Sequence, residues 1–251
     1  MVRGRVVAAS LFGFAILPLC CSAQSTNAQA PLQPIGADTV SVRELNIPQK
    51  AHKDFVKGNY LLATGDWSAG LAEFQKAIDA FPNYYEAYDK IGNAELDLNR
   101  SADAEAAFRK AIELSAGRYA PPHSGLGLAL CMEGRFSEAE TSARSGIEID
   151  PAYAAGHFAL AWVIYATDRR SEALAESRKA VEEQPDLAVA YLLLAQIEMQ
   201  QHAVAAVVAD LSKYLELEPS GPTKARATAI RDEALRALAD EGSAAVAQAQ
   251  H

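Results

Sequence analysis

The stretch GRFSEAETSARSGIEIDP, residues 134–151, begins with glycine, ends with proline and carries small residues at Ala139, Ala143 and Gly146. Earlier in the chain, GDWSAGLAEFQKAIDAFP, residues 65–82, has the same length and nearly the same pattern. Small residues at helical spacing let a second helix approach closely, and a proline ends a helix because its nitrogen cannot donate a hydrogen bond. The repetition therefore predicts two copies of one helical unit.

The spacing of the prolines extends this repeat along the chain. Pro151, Pro185 and Pro219 follow one another at 34 residues, and Pro82 precedes Pro151 by 69 residues, which is two periods plus one residue. Such a period is typical of stacked units, each of which buries its apolar side only against its neighbours. We predict five units, over residues 51–84, 85–118, 120–153, 154–187 and 188–221.

Each unit contains two helical patterns. In the fourth unit, one apolar stripe at helical spacing comes from His157, Leu160, Ala161 and Ile164. A second stripe of small residues precedes Pro185 and consists of Ala173, Ser177 and Ala180. After the fifth unit, residues 222–240 form one more amphipathic pattern. We predict that it is a capping helix for the end of the stack, followed by a disordered tail over residues 241–251.

The repeated pattern resembles the tetratricopeptide repeat, whose signature runs W-x2-L-G-x2-Y, then A-x3-F, then P, over about 34 residues. The second unit matches it best, at Tyr88, Ile91, Gly92, Ala104, Phe108 and Ala111. The resemblance covers residues 51–219. It implies an all-α, right-handed superhelical solenoid of about five antiparallel helix pairs, with proteins or peptides as partners.

The first 23 residues have the pattern of a secretory signal peptide. Two arginines precede an uncharged apolar run over residues 6–19, which is too short for the roughly 20 residues of a membrane-spanning helix, and small residues precede Ala23. We predict cleavage after Ala23, a flexible linker over residues 24–50 and a periplasmic or secreted protein. The alternative is a lipoprotein acylated at Cys20 or Cys21, serving as an accessory subunit of an envelope-assembly or secretion machine.

Charge and motifs argue against several classes of function. The formal net charge of −9 provides no general basic surface for a nucleic-acid backbone. The sequence has no nucleophile elbow, phosphate-binding glycine loop, HExxH or CxxC motif. His123, His157 and Cys131 lie too far apart along stacked helices to share one ion. We therefore predict no catalytic residue, no cofactor and no metal; a regulatory subunit of an enzyme is the less favoured alternative.

The resemblance also implies a binding surface, because the first helix of each repeat in this family lines a concave groove. Transferred by repeat position, this groove contains Asn59, Asn93, Leu128, Cys131, Phe158, Trp162, Tyr165, Leu192 and Gln196. The same stripe near the N-terminal end also holds His52, Phe55, Glu86 and Asp89. Chaperone-binding members clamp a C-terminal carboxylate with cations, but Phe55, Pro121 and Gly125 stand at some of those positions. We do not expect that ligand.

Two interpretations of the aromatic cluster in the fourth unit stay open. Phe158, Trp162 and Tyr165 lie on a helix that is apolar on both of its stripes, and such a helix is expected to be buried on both sides. Neighbouring units or a second copy of the chain would then cover the rings. Alternatively, the rings anchor a bound peptide, since aromatic residues dominate interface energies. With either interpretation, the sequence predicts a non-enzymatic interaction scaffold of the bacterial cell envelope. Self-association into a homo-oligomer is compatible with both interpretations.

Overall fold

The computed structural model describes residues 47–220 and 223–249, and these residues form eleven α-helices. The predicted signal peptide and most of the predicted linker lie outside them. The helices are α1 (Gln49–Ala63), α2 (Trp67–Ala80), α3 (Tyr85–Asp97), α4 (Ser101–Leu114), α5 (Pro121–Met132), α6 (Phe136–Ile149), α7 (Ala154–Ala166), α8 (Arg170–Glu183), α9 (Ala188–Gln200), α10 (Val204–Leu217) and α11 (Lys224–Ala249). Helices α1 to α10 form five consecutive antiparallel pairs, and α11 packs on α10. The predicted fold class, an all-α solenoid of helix pairs with a C-terminal helix, is confirmed.

The turn inside every helix pair uses one residue in the left-handed backbone region. The five residues recur at the repeat period and have φ between +57° and +81°: Gly65, Asn99, Gly134, Asp168 and His202. In the first turn the N–H of Asp66 donates to the carbonyl of Leu61 at 2.9 Å, which satisfies a carbonyl at the helix end. Glycine adopts this conformation without a steric penalty. The left-handed backbone conformation therefore recurs along the chain with the same period as the sequence.

The ring of Phe108 on α4 fills a gap that glycines leave open. Phe108 is fully buried. A Cβ atom on Gly92 of α3 would lie 2.5 Å from Phe108 Cε1, and one on Gly125 of α5 would lie 2.4 Å from the same atom. Neither glycine position has room for a side chain. The ring therefore contacts helices of two successive pairs and packs its own pair against the next one. Core packing of this kind fixes the stacking of the pairs.

Ion pairs connect the second helices of successive pairs on the outer side of the stack. Arg135, just before α6, donates to Glu105 of α4 at 2.8 Å, and Arg169, just before α8, donates to Glu140 of α6 at 2.7 Å. The two arginines occupy equivalent repeat positions. These partly exposed pairs contribute modestly to stability, and each ties an arginine to a glutamate of the preceding helix pair.

The C-terminal helix covers the last pair. Ala227 of α11 is buried in a cluster with Val207, Leu211 and Tyr214 of α10, and Ile230 and Ala234 pack against this cluster. The hydroxyl of Tyr214 also contacts that of Thr223. Helix α11 continues to Ala249, so the predicted helix end at residue 240 and the predicted disorder over residues 241–249 are corrected. The added segment contains four alanines and one glycine, and alanine has the highest intrinsic helix propensity.

Candidate functional site

The nine groove residues predicted from repeat position all lie on the first helices of the pairs, but they differ in burial. Phe158 is 6% exposed and Cys131 is 8% exposed, and both belong to core clusters. The others are half-buried: Asn59, Asn93, Leu128, Trp162, Tyr165, Leu192 and Gln196. Phe158 and Cys131 are therefore corrected to core positions. Burial also raises the pKa of the Cys131 thiol to about 11, so this side chain stays a neutral apolar group at physiological pH.

The three aromatic residues of α7 differ in burial because of the position of this helix in the stack. Nine of its residues are buried, including Phe158 and Ile164, because α7 lies in the middle of the stack between the third and fifth pairs. Trp162 and Tyr165 pack against the edge of the core and keep part of their surface open. Burial by neighbouring units therefore accounts for Phe158, whereas Trp162 and Tyr165 remain partly accessible.

Trp162 and Tyr165 form one element of a candidate site with glutamines of the next pair. Their ring centroids lie 6.2 Å apart. Gln200 of α9 donates from Nε2 to the Tyr165 hydroxyl at 2.7 Å, and its Oε1 has no hydrogen-bond partner among the described residues. The Gln196 amide acts on the same hydroxyl, where it partly opposes the rise in the pKa of Tyr165 that burial causes. Gln200 is not among the residues predicted from repeat position, although it follows Gln196 at the i+4 spacing that places two residues on one helix face.

A second element lies at the N-terminal end of the same face. An open pocket of about 580 Å³ is lined by Ile47, Gln49, His52, Phe55, Tyr84 and Glu86. The Phe55 ring centroid lies 4.8 Å from that of Tyr84 and 5.6 Å from that of Phe74. We call this the N-terminal aromatic pocket. Tyr84 is not among the predicted residues, because it ends the first unit and belongs to neither helix stripe.

Carboxylates of α3 make the surroundings of this pocket electronegative. Asp89 is 1% exposed, and its Oδ1 has no hydrogen-bond partner among the described residues. Burial raises the pKa of Asp89 to about 6, which the charge of Lys90 partly opposes. Burial also raises the pKa of the Tyr119 hydroxyl, and the charges of Asp89 and Glu86 raise it further. Asp89 is therefore largely ionised above pH 6, and anions are disfavoured here.

The two histidines of the sequence analysis have structural surroundings. His157 Nδ1 lies 2.7 Å from Glu176 of α8, and its Nε2 lies 3.0 Å from the carbonyl of Pro151. His123 is half-buried, and burial lowers its pKa. Within the described ranges, no three His, Cys, Asp or Glu side chains come together as a metal site would require. The described helices also include none with the length and apolar character of a membrane span.

Comparison with known proteins agrees with this architecture. Residues 85–117 match the family model described as tetratricopeptide repeat. The Protein STIP1 homolog of Dictyostelium discoideum is 33% identical over 103 residues, which are 41% of this chain. The chain spans only 18% of the length of that protein.

Solved structures show the same fold. TTC0263, a thermophilic TPR protein in Thermus thermophilus, has a TM-score of 0.63 at 20% identity, over 75% of this chain and 98% of that one. PilW, described as a widely conserved type IV pilus biogenesis factor, has a TM-score of 0.62 at 17% identity, over 81% and 92% of the two chains. Together with the five helix pairs and the recurring left-handed turns, these matches show that the chain has the helix-pair fold of these proteins and that residues 85–117 are similar to the tetratricopeptide repeat.

Proposed function

We propose that this protein is a non-enzymatic interaction scaffold that binds a segment of a partner protein along the inner face formed by the first helices of its pairs. Proteins of the tetratricopeptide family are generally interaction modules without catalytic activity. The observation that carries the proposal is the half-buried pair of Trp162 and Tyr165 beside Gln196 and Gln200. Tryptophan and tyrosine supply much of the binding energy at protein interfaces.

The inner and outer faces offer different chemistry to a partner. On the outer side, Arg135 and Arg169 are paired with glutamates of the preceding pair. On the inner side, the rings of Trp162 and Tyr165 keep part of their surface open beside the half-buried side chains of Gln196 and Gln200. Partly accessible rings next to amide side chains offer an extended segment both apolar contact area and hydrogen-bond partners. The inner face therefore suits a peptide segment better than the outer face.

Cross-linking from defined positions tests this proposal. A photoreactive residue at Gln196, on the inner face, should attach to a partner segment in an extract of the source cells. The matched control places the same residue at Glu182, an exposed position on α8. We expect one dominant adduct from position 196, and we expect that adduct to be absent when the photoreactive residue is at position 182. Mass spectrometry identifies the attached peptide. Equal adducts from both positions would contradict binding at the inner face.

We further propose that the protein works in the bacterial cell envelope after export. This proposal rests on the arginines and apolar run of residues 1–23, which have the pattern of a cleaved signal. In an exporting bacterial host, the intact mass should correspond to a chain that begins at Gln24. A retained Met1 would contradict export, and a lipid on Cys20 or Cys21 would instead favour the membrane-anchored accessory subunit.

A further inference from the structure

The first helix of the stack exposes a surface that is buried in the later first helices. On α1, Tyr60 is 68% exposed and Val56 is 51% exposed, and Lys53 is also exposed. In the four later pairs, the position of Tyr60 relative to the left-handed turn is fully buried and holds Ala94, Ala129, Val163 and Ile197. We call the surface formed by Lys53, Val56 and Tyr60 the N-terminal end face.

At an internal junction, the second helix of the preceding pair packs against this side of the first helix. The position of Val56 is Gly125 on α5, where a Cβ atom would lie 2.4 Å from Cε1 of Phe108 on α4. The described residues begin at residue 47, so they include no second helix before α1. A segment that covers the N-terminal end face must therefore come from the preceding residues of this chain or from another molecule.

The repeat period continues into the residues before α1. Ile47 and Pro48 lie 34 residues before Phe81 and Pro82, and both Ile47 and Phe81 pack against the same core cluster. By the same count, residues 33–46 correspond to α2, the second helix of the first pair. The segment directly before α1 therefore has the sequence register of a second helix.

Two residues of this segment agree with the positions that second helices bury. Val40 falls at a position that is buried in all five second helices, where it holds Phe74, Phe108, Ala143, Ser177 and Leu211. Gly36 falls at another position that is buried in all five, where it holds Gly70, Ala104, Ala139, Ala173 and Val207. The side of the segment that carries Gly36 and Val40 is thus the side that a second helix turns towards the core.

Two departures limit the correspondence. Arg43 stands at the position of Ala77, although the fifth pair also carries a large residue there, Tyr214. Pro31 stands at the position of the turn residue, and proline cannot adopt the positive φ of that turn. The correspondence therefore covers residues 33–46 as a single segment and does not extend to a sixth helix pair.

The charges of the segment and of α1 are also complementary. At the first internal junction, Ile78 of α2 and Ala87 of α3 belong to one buried cluster. The equivalent residues of the segment and of α1 are Glu44 and Lys53. Residues of opposite charge thus replace an apolar contact at an exposed position, where such a pair adds modest stability and helps to fix the register.

We propose that residues 33–46 of this chain cover the N-terminal end face, with Val40 against Val56 and Glu44 beside Lys53. Because the segment lies directly before α1 in the chain, its effective concentration at this surface is higher than that of a second copy. The stack is then covered at both ends, by this segment and by α11, as stacked repeats require. This inference goes beyond the scaffold function and does not depend on which partner the inner face binds.

A photoreactive phenylalanine derivative at Tyr60 tests this assignment in the purified full chain, prepared as a mixture of isotope-labelled and unlabelled copies. We expect the main adduct to join position 60 to residues 33–46, with both peptides carrying the same label because they belong to one chain. Mass spectrometry identifies the joined peptides. The control places the same residue at Glu182, an exposed position on α8, and should give no adduct with residues 33–46.

Two aspartate variants test the register of the segment. Val40→Asp puts a carboxylate at the buried position, so it should reduce the adduct at least about fivefold and lower the melting temperature. Val42→Asp adds the same charge two residues later, at the position of the exposed Lys76 of α2, and should leave both quantities unchanged. If Val40→Asp disturbs the fold, the adduct of the otherwise unchanged chain still decides.

Each other outcome overturns the assignment. Adducts that join labelled to unlabelled peptides would show that a second copy covers the face. A lack of adducts with residues 33–46, adducts spread evenly over residues 24–46, or equal effects of Val40→Asp and Val42→Asp would show that the segment does not dock in this register. These measurements contain no partner protein, so the scaffold function is judged separately by the cross-linking from position 196.

Discussion

Replacing Phe108 by alanine should lower the free energy of unfolding by about 3–5 kcal/mol, the range for removing a buried phenylalanine ring. The ring is fully buried and fits against Gly92 and Gly125 on two different helix pairs. Its loss leaves a cavity that backbone glycines cannot fill. Because α5 belongs to the next pair, the variant should also weaken the junction between the second and third pairs. Denaturant unfolding followed by circular dichroism measures the change.

The control for this prediction is Phe136→Ala. Phe136 begins α6 and is 39% exposed, so its truncation should cost much less than that of Phe108. Equal losses of stability in the two variants would mean that the junction does not depend on the ring of Phe108. A larger loss for Phe136 would contradict the described packing outright.

The helix pairs could be predicted from the sequence because their ends are marked locally. Pro82, Pro151 and Pro185 follow second helices, and Gly65 and Gly134 stand in the turns. The same left-handed turn at Asn99, Asp168 and His202 has no glycine to mark it. At these three positions the turn can be predicted from the repeat period but not from the residue type. The disorder predicted after residue 240 was wrong for residues 241–249, where an alanine-rich segment continues the helix.

The candidate site was less predictable, since it depends on contacts between units. Repeat position places Phe158 and Trp162 on the same stripe, yet the first is buried and the second is half-buried. Which of them stays accessible depends on how closely the neighbouring pairs approach, and that depends on three-dimensional packing. The contact between Tyr165 and Gln200 spans 35 residues, and Tyr84, in the loop after α2, contacts Phe55 of α1. No local pattern records such contacts.

The second large effect concerns binding. Trp162→Ala should weaken binding of the partner segment by about 2 kcal/mol or more, roughly thirtyfold. The variant should stay folded, because Leu160, Ala161 and Ile164 on the buried side of α7 are unchanged. Trp162 also packs against two core clusters, so we expect some loss of thermal stability. Trp162→Phe keeps a ring at this position and is the matched control, with most of the affinity and stability retained.

The most direct measurement is the affinity of the segment captured by cross-linking from position 196, determined by calorimetry for the wild type, Trp162→Ala and Trp162→Phe. All three are compared well below their melting temperatures, with circular dichroism confirming equal helix content. The inner-face account predicts a loss of about thirtyfold for Trp162→Ala and only a small loss for Trp162→Phe. A folded Trp162→Ala variant that binds the segment as tightly as the wild type would contradict it.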